Sequence, residues 1–392
     1  MESRRIPIGD FPLGPHEKEA LQRVIDSGRI SEHREVRAFE KEYAEWLGVK
    51  HCIAVSSGTA ALMTGLTSLK VLNYLKPRDH ILIPAVTFIA TANAITLCDL
   101  TPVFGDIDIV TYGLQPANLS RHKYEAVMPV HLMGYPADLH GIKRMNPETI
   151  ILEDSCEAHG TLYSGKKVGT FGLWSAFSFY IAHSIQAGEM GCICTNDDEI
   201  AEVCKRLKAH GRVCSCKKCV RGEGKCPNMA ESDPRFTSLY PGYNFKPMEF
   251  QAALARTQMR NLGENIETRL RNVWLYNTLL GNLEDDLILP VFEETVSYMG
   301  YPLILKRHLN RRDFLIRLEG KGVEARPLFG CIPLQQPAYA QYKEQYQGKL
   351  PVAEYIGKSG FYVGCHQYLG DEDIKYAVGK IIETVNEMKG QS

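Results

Sequence analysis

Apolar positions along the chain switch repeatedly between the period of a helix and that of a buried strand. Residues 17–27 repeat apolar side chains at helical spacing and run into Gly28, and residues 35–47 do the same before Gly48. His51–Ser56 is a short apolar run, after which Gly58 opens a helix through Leu69. Further buried strands are predicted at His80–Pro84, Thr101–Gly105, Ala126–Val130 and Thr149–Glu153, with helices between them. Trp174–Phe179 and Gly191–Thr195 add two more. This alternation predicts a mixed α/β fold around a largely parallel sheet. After a helix over Asp197–His210 the period fails. Residues 211–241 combine Gly, Pro, Cys and charge, which marks an insertion or long loop. One long helix over Pro247–Leu279 should then lead into a C-terminal unit, so we expect a large domain over 1–255 and a smaller α/β domain over 256–392.

Composition narrows the function classes. The 392 residues, 44% of them hydrophobic, suffice for a large and a small core. A net charge of −1 argues against a general binder of nucleic acid or membrane surfaces. Met-Glu-Ser-Arg-Arg-Ile-Pro lacks the apolar core of a signal peptide, and no apolar run long enough to span a bilayer follows, so a cytoplasmic protein is expected. In that compartment the twelve cysteines should be reduced, and any that cluster suggest metal or catalysis. Cys52, Cys98, Cys192, Cys194, Cys204, Cys331 and Cys365 read as core residues. Cys156, Cys214, Cys216, Cys219 and Cys226 do not.

Two short segments carry candidate chemistry. Val55-Ser-Ser-Gly-Thr-Ala-Ala-Leu62 is a strand, a tight turn and a helix start, where Gly58 and Thr59 would present N–H groups and a hydroxyl to a phosphate. Asp154 ends an apolar run and suits a carboxylate partner for a pyridine nitrogen. Taken singly, each is equally an ordinary joint or cap.

Their order and company resemble a known family. Ser-Ser-Gly-Thr-Ala-Ala, Pro-Ala-Val-Thr-Phe-Ile-Ala-Thr-Ala-Asn, Pro-Val-His-Leu-Met-Gly-Tyr-Pro-Ala-Asp and Glu-Asp-Ser-Cys-Glu-Ala-His-Gly follow one another in the order of the sugar aminotransferase-like (DegT/DnrJ/EryC1/StrS) family. Ser178-Phe-Tyr180, Gly242-Tyr-Asn-Phe-Lys246, Ala-Arg-Pro-Leu-Phe and Gln-Pro-Ala-Tyr continue it, over roughly residues 8–385. The resemblance implies the fold-type-I, aspartate aminotransferase-like architecture and a pyridoxal or pyridoxamine 5′-phosphate cofactor held by the large domain. It implies phosphate contacts at Gly58, Thr59 and Ser178, an aromatic wall at Phe88 and a ring-nitrogen partner at Asp154. Asn244 matches an asparagine that reaches the neighbouring subunit's phosphate, which implies a homodimer with shared sites. Glu157 stands where many members have glutamine. Met190 replaces a usual glycine.

The chain departs from the family at its chemical centre. His183 occupies the position of the cofactor lysine in Ser-Phe-Tyr-Ile-Ala-His-Ser-Ile-Gln-Ala-Gly-Glu. Histidine moves protons near neutral pH but forms no Schiff base. The segment closely resembles that of the nucleotide 4-keto-6-deoxyhexose 3-dehydratases, in which pyridoxamine phosphate meets the sugar ketone and a base removes a cofactor proton while a hydroxyl leaves. Lys166 and Lys167 lie too far back in the motif to replace the missing lysine. Gln186, Tyr180, Arg326 and His366 are further expected contacts to the nucleotide sugar.

The cysteines divide two kinds of such dehydratase. Cys214-Ser-Cys216-Lys-Lys-Cys219, with Cys226 beyond, crowds thiolates that a metal would neutralise, and alone it suits zinc as well as iron–sulfur. Cys156, beside Asp154, adds a fifth thiol that is distant in sequence. In the type exemplified by CDP-4-keto-6-deoxyglucose 3-dehydrase, such a cysteine, a Cys-x-Cys pair and a later cysteine hold a [2Fe–2S] cluster. The resemblance thus implies Cys156, Cys214, Cys216 and Cys226 as ligands, with Cys219 the alternative fourth, and a flavin or iron–sulfur reductase as partner. The alternatives are a cluster-free dehydratase with structural zinc and a non-catalytic binding protein. Between Lys205 and Arg235, nine Lys/Arg face three Asp/Glu, a basic excess suited to docking an acidic donor.

Overall fold

The computed structural model describes residues 4–390 apart from 215–222, 224–225, 227–232 and 307. Helices α1 (Pro15–Ser27) and α2 (Arg34–Leu47) end on the glycines marked by the sequence. Gly28 and Gly48 have φ of 62° and 90°, the left-handed region that closes a helix at little cost only when no Cβ is present.

The main sheet is built from β1 (His51–Val55), β2 (His80–Pro84), β3 (Thr101–Gly105), β4 (Ala126–Val127) and β5 (Ile150–Asp154). A hairpin, β6 (Leu162–Tyr163) and β7 (Lys166–Lys167), precedes its last two strands, β8 (Trp174–Ser178) and β9 (Gly191–Thr195). The seven strands lie in the order β1-β9-β8-β5-β4-β2-β3. Neighbours from β8 to β3 are parallel, while β9 runs antiparallel to both β8 and β1. The expected mixed, mostly parallel sheet is therefore what forms. Its strands are buried because they are apolar on both faces, as parallel strands covered by helices require.

Helix α3 (Gly58–Val71) packs directly on β8 and β9. Contact is close enough that a Cβ at Gly65 would stand 2.7 Å from the Trp174 ring. Helices α4 (Ile89–Leu97), α5 (Leu139–Met145) and α6 (Asp198–Leu207) complete this part.

Two expected elements are corrected. The strand at 126–130 stops at Val127, since Pro129 has no N–H to give the ladder. The single helix over 247–279 is two, α7 (Glu249–Arg260) and α8 (Leu262–Leu280), broken at Asn261 with φ −105° and ψ 10°. The break has a packing cause. Ala252 and Ala255 of α7 join the cluster under α2, whereas Val273, Tyr276 and Leu280 of α8 join the large core. A straight helix would aim its apolar stripe at only one of them.

A second sheet, β10 (Leu287–Ile288), β11 (Tyr301–Leu305), β12 (Ala325–Pro327) and β13 (Gly360–Val363), has the order β10-β11-β13-β12 with every pair antiparallel. The helix Asp371–Lys389 packs against α8 beside it. Among the described residues no helix is long and apolar enough to cross a membrane.

Candidate active site

The C-terminal ends of β5 and β8 and the start of α3 border a cavity of about 820 Å³, the place where open parallel sheets bind ligands. Ser57 caps α3, its Oγ accepting the Ala60 N–H at 3.1 Å. The N–H groups of Gly58 and Thr59 are among those a helix start leaves over, so this end suits an anion. Gly58 has to be glycine. A Cβ there would lie 2.8 Å from the Ser178 Cβ and 3.1 Å from the Cys156 Sγ. Ser178, the last residue of β8, lines the same wall.

Asp154 ends β5 with its carboxyl buried. Thr91 Oγ1 donates to its Oδ2 at 2.8 Å, and the Cys156 N–H to its Oδ1 at 3.3 Å. Thr87 lies 2.9 Å behind Thr91, so the two hydroxyls form a relay from α4. Burial pushes the Asp154 carboxyl up, against the pull of these donors. A ligand bearing a cationic N–H would relieve it. The preceding residue, Glu153, points away from the cavity and is fully enclosed: it accepts the N–H groups of Gly169, Phe171 and Gly172 and the Nε2–H of His131. That cage fixes the strand end on which Asp154 sits.

His183 is buried in the cavity wall. Its Nδ1 lies 2.8 Å from the Ser178 carbonyl oxygen. A carbonyl only accepts, so Nδ1 carries the hydrogen and the lone pair is left on Nε2. Burial lowers the imidazole to about 4; the Ser178 carbonyl opposes this and the charge of Arg269 adds to it. His183 is thus a neutral base at physiological pH. The described residues lining the cavity include no lysine. Lys167 is tied instead to the Trp46 carbonyl at 2.6 Å, and Lys166 sits in the hairpin at β7.

Phe88 caps α4 with its ring half exposed to the cavity, 5.6 Å from the ring of Phe329. Glu157 is enclosed, and its Oε2 accepts the Met133 N–H at 2.7 Å. Burial raises its carboxyl to about 8, with the charge of Asp154 adding to the effect and the Met133 bond opposing it. Tyr180, Arg311 and Arg326 also line the cavity.

Other expected residues lie elsewhere. Gln186 is buried, giving its amide to the Asp10 and Ile181 carbonyls, and His366 packs against the Pro7 carbonyl; neither lines the cavity. Asn244 is exposed outside the cavity of its own chain, paired with Lys246. Met190 is buried among Phe177, Phe179 and Ala187, and the glycine with positive φ here is Gly188, at 79°. Cys156 lines the cavity beside Asp154, while Cys214 and Cys226 are half-buried outside the lining. Cys216 and Cys219 lie outside the described residues.

Sequence reasoning missed the support of the base. Arg269, fully buried on α8, donates to the carbonyls of His183, Tyr298 and Met299. His159 donates to the Ser178 carbonyl from the other side. Thr91 and His159 stood inside the matched motifs, whereas Arg269 gave no local signal.

A seven-stranded sheet with a phosphate-ready helix start facing a buried aspartate is the aminotransferase-like fold of pyridoxal-phosphate enzymes. The chain belongs to the DegT/DnrJ/EryC1/StrS aminotransferase family, whose model matches residues 13–382. It is 31% identical to the GDP-4-keto-6-deoxy-D-mannose 3-dehydratase of Yersinia pseudotuberculosis, over 95% of this chain and 98% of that one. It is also 31% identical to the GDP-perosamine synthase of Caulobacter vibrioides, over 96% and 97%. A solved E. coli GDP-4-keto-6-deoxy-D-mannose-3-dehydratase with bound hydrated PLP superposes with a TM-score of 0.84 at 26% identity, covering 97% of this chain and all of the other. The cavity fits that cofactor: Gly58 clears space at the helix start, Phe88 offers a face, and Asp154 awaits a cationic partner.

Proposed function

We propose that this chain is a pyridoxamine-phosphate-dependent enzyme that dehydrates a nucleotide-linked 4-keto-6-deoxyhexose at C3. The observation that carries the reading is His183, a buried base with its lone pair on Nε2, in a cavity wall whose described residues include no lysine. The bound cofactor supplies a free amine for the sugar ketone and an electron sink. His183 would take a proton from the cofactor's C4′ carbon through Nε2 and deliver it to the departing C3 hydroxyl. Asp154 would hold a proton at the ring nitrogen, and Phe88 would cover the ring. Gly58, Thr59 and Ser178 would grip the phosphate, with Asn244 of a second protomer completing it in a homodimer. Arg311 and Arg326, both lining the cavity, would suit the diphosphate of a nucleotide sugar. Similarity to both a 3-dehydratase and a perosamine synthase supports the substrate class.

The finer reading adds a [2Fe–2S] cluster on Cys156, Cys214, Cys216 and Cys226, fed by a separate reductase. It rests on the sequence pattern and on Cys156 lining the cavity next to Asp154. Such a cluster supplies single electrons, which zinc cannot do. The large domain over 1–255 and the small one over 256–392 belong to the same proposal.

The test is incubation of the pyridoxamine-phosphate-loaded protein with GDP- and CDP-linked 4-keto-6-deoxyhexoses in deuterated water. Loss of the C3 hydroxyl with substrate-dependent exchange at C4′ is expected, and His183→Asn should abolish both while still binding cofactor. A 4-amino sugar as product, made from an added amino acid, would overturn the reading.

A further inference from the structure

Three cysteines outside the cavity form the tightest thiol group among the described residues. Cys192 and Cys194 stand two apart on β9, which puts both side chains on one face. Cys52, on the edge strand β1, is the cross-strand partner of Cys194 and so shares that face. The three Sγ atoms all lie within 4.8 Å of one another, and Cys192 and Cys194 approach to 3.8 Å. Helix α2 covers them with Phe39, Tyr43 and Leu47.

We propose that Cys52, Cys192 and Cys194 bind one soft thiophilic metal ion, Cu(I) by preference, in a three-sulfur site. Three sulfurs each about 2.3 Å from a central ion stand about 4 Å apart in a trigonal plane. The observed group needs only small side-chain rotations to reach that spacing. Thiolates select soft ions. Zinc would seek a fourth ligand, and within this group of described residues there is no fourth His, Cys, Asp or Glu. Cys52, at the sheet edge and 6% exposed, is the side from which an ion would enter. The site is separate from the loop cysteines and does not depend on the cluster reading.

The test uses full-length protein with Cys156, Cys214, Cys216, Cys219 and Cys226 changed to serine, which removes the other candidate ligands. Anaerobic titration with Cu(I) against a competing chelator should leave one copper per chain, with X-ray absorption showing a sulfur-only, three-coordinate shell. Adding Cys52→Ala or Cys194→Ala should abolish retention, while adding Cys98→Ala, a buried cysteine elsewhere, should not. Copper lost to the chelator, a shell containing nitrogen or oxygen, or equal retention after Cys52→Ala and Cys194→Ala would each overturn the proposal. So would a Cys52–Cys194 disulfide in protein prepared and held under reducing conditions. The absorption shell is read on a chain with all three thiols intact, so it decides even where the alanine variants fail to fold.

Discussion

His159 and His183 both donate to the Ser178 carbonyl oxygen, at 2.7 and 2.8 Å, from rings 6.4 Å apart. One acceptor thereby fixes two tautomers. His159 gives up its Nε2–H, so its Nδ1 must accept, and the Tyr43 hydroxyl donates there at 2.9 Å. His183 gives up its Nδ1–H and keeps its lone pair on Nε2. Arg269 then holds the His183 carbonyl, so ring and backbone of the base are each fixed by a separate contact.

This arrangement sets a pH dependence. In the unfolded chain a histidine titrates near its ordinary 6.5, whereas His183 in the fold is lowered to about 4. Its stability contribution is complete above the unfolded value and is lost as pH falls through the folded one. NMR of isotope-labelled, cofactor-free protein should show the His183 ring neutral down to about pH 5, as its folded value of about 4 requires. A midpoint near 6.5 would show that Ser178 and burial do not control the ring.

Asp154→Asn should leave phosphate binding intact, because Gly58, Thr59 and Ser178 are untouched. The proton at the ring nitrogen would no longer be held. Single-turnover dehydration should fall by about 10²-fold or more, the scale of one well-placed electrostatic group. An unchanged single-turnover rate would remove Asp154 from the mechanism.

The surroundings of Glu157 explain how an acid can stand where the family resemblance places glutamine in many members. With its carboxyl raised to about 8, it is protonated at neutral pH and can accept from Met133 while donating elsewhere, as glutamine would. Its contribution to stability is present below the unfolded value and lost as pH rises through about 8. Between the two values the slope reaches at most about 1.4 kcal/mol per pH unit. Glu157→Gln should keep dehydration activity and flatten that slope in denaturant titrations at pH 6, 7 and 8. Loss of activity at neutral pH would show that the carboxylate form is required.

Cys156→Ser discriminates the cluster from zinc. Anaerobically purified wild type should hold two irons and two sulfides per chain with visible bands bleached by dithionite. The variant should lose iron yet bind cofactor and still dehydrate, with reduction alone stopped. Stoichiometric zinc and no iron in the wild type would leave the cluster-free dehydratase.

Local physics made the framework readable. Gly28 and Gly48 announced helix ends because only a left-handed residue closes them well, and strands β1, β2 and β3 appeared as short apolar runs. Asp154, Gly58 and Ser178 were legible through motif order. The helix break at Asn261 was not, because both halves satisfy the same period and only the separate cores they meet divide them. Arg269 was likewise silent, since its role depends on carbonyls contributed by distant segments. Gln186 and His366 contact the N-terminal carbonyls of Asp10 and Pro7 and do not line the cavity, a placement set by distant segments.

Arg269, on the helix that begins after the break at Asn261, gives His183 a second mechanical attachment. Arg269 rides on α8, which packs against the helix Asp371–Lys389, whereas His183 follows the end of β8. One guanidinium thus spans two load paths, gripping the carbonyls of Tyr298 and Met299 just ahead of β11 and that of His183. Any shear of α8 across the large sheet must therefore stretch a bond to His183, the proposed base. A remote substitution that loosens α8 should be felt at His183 before it is felt at Gly58 and Thr59, the part of the proposed phosphate cradle that α3 carries.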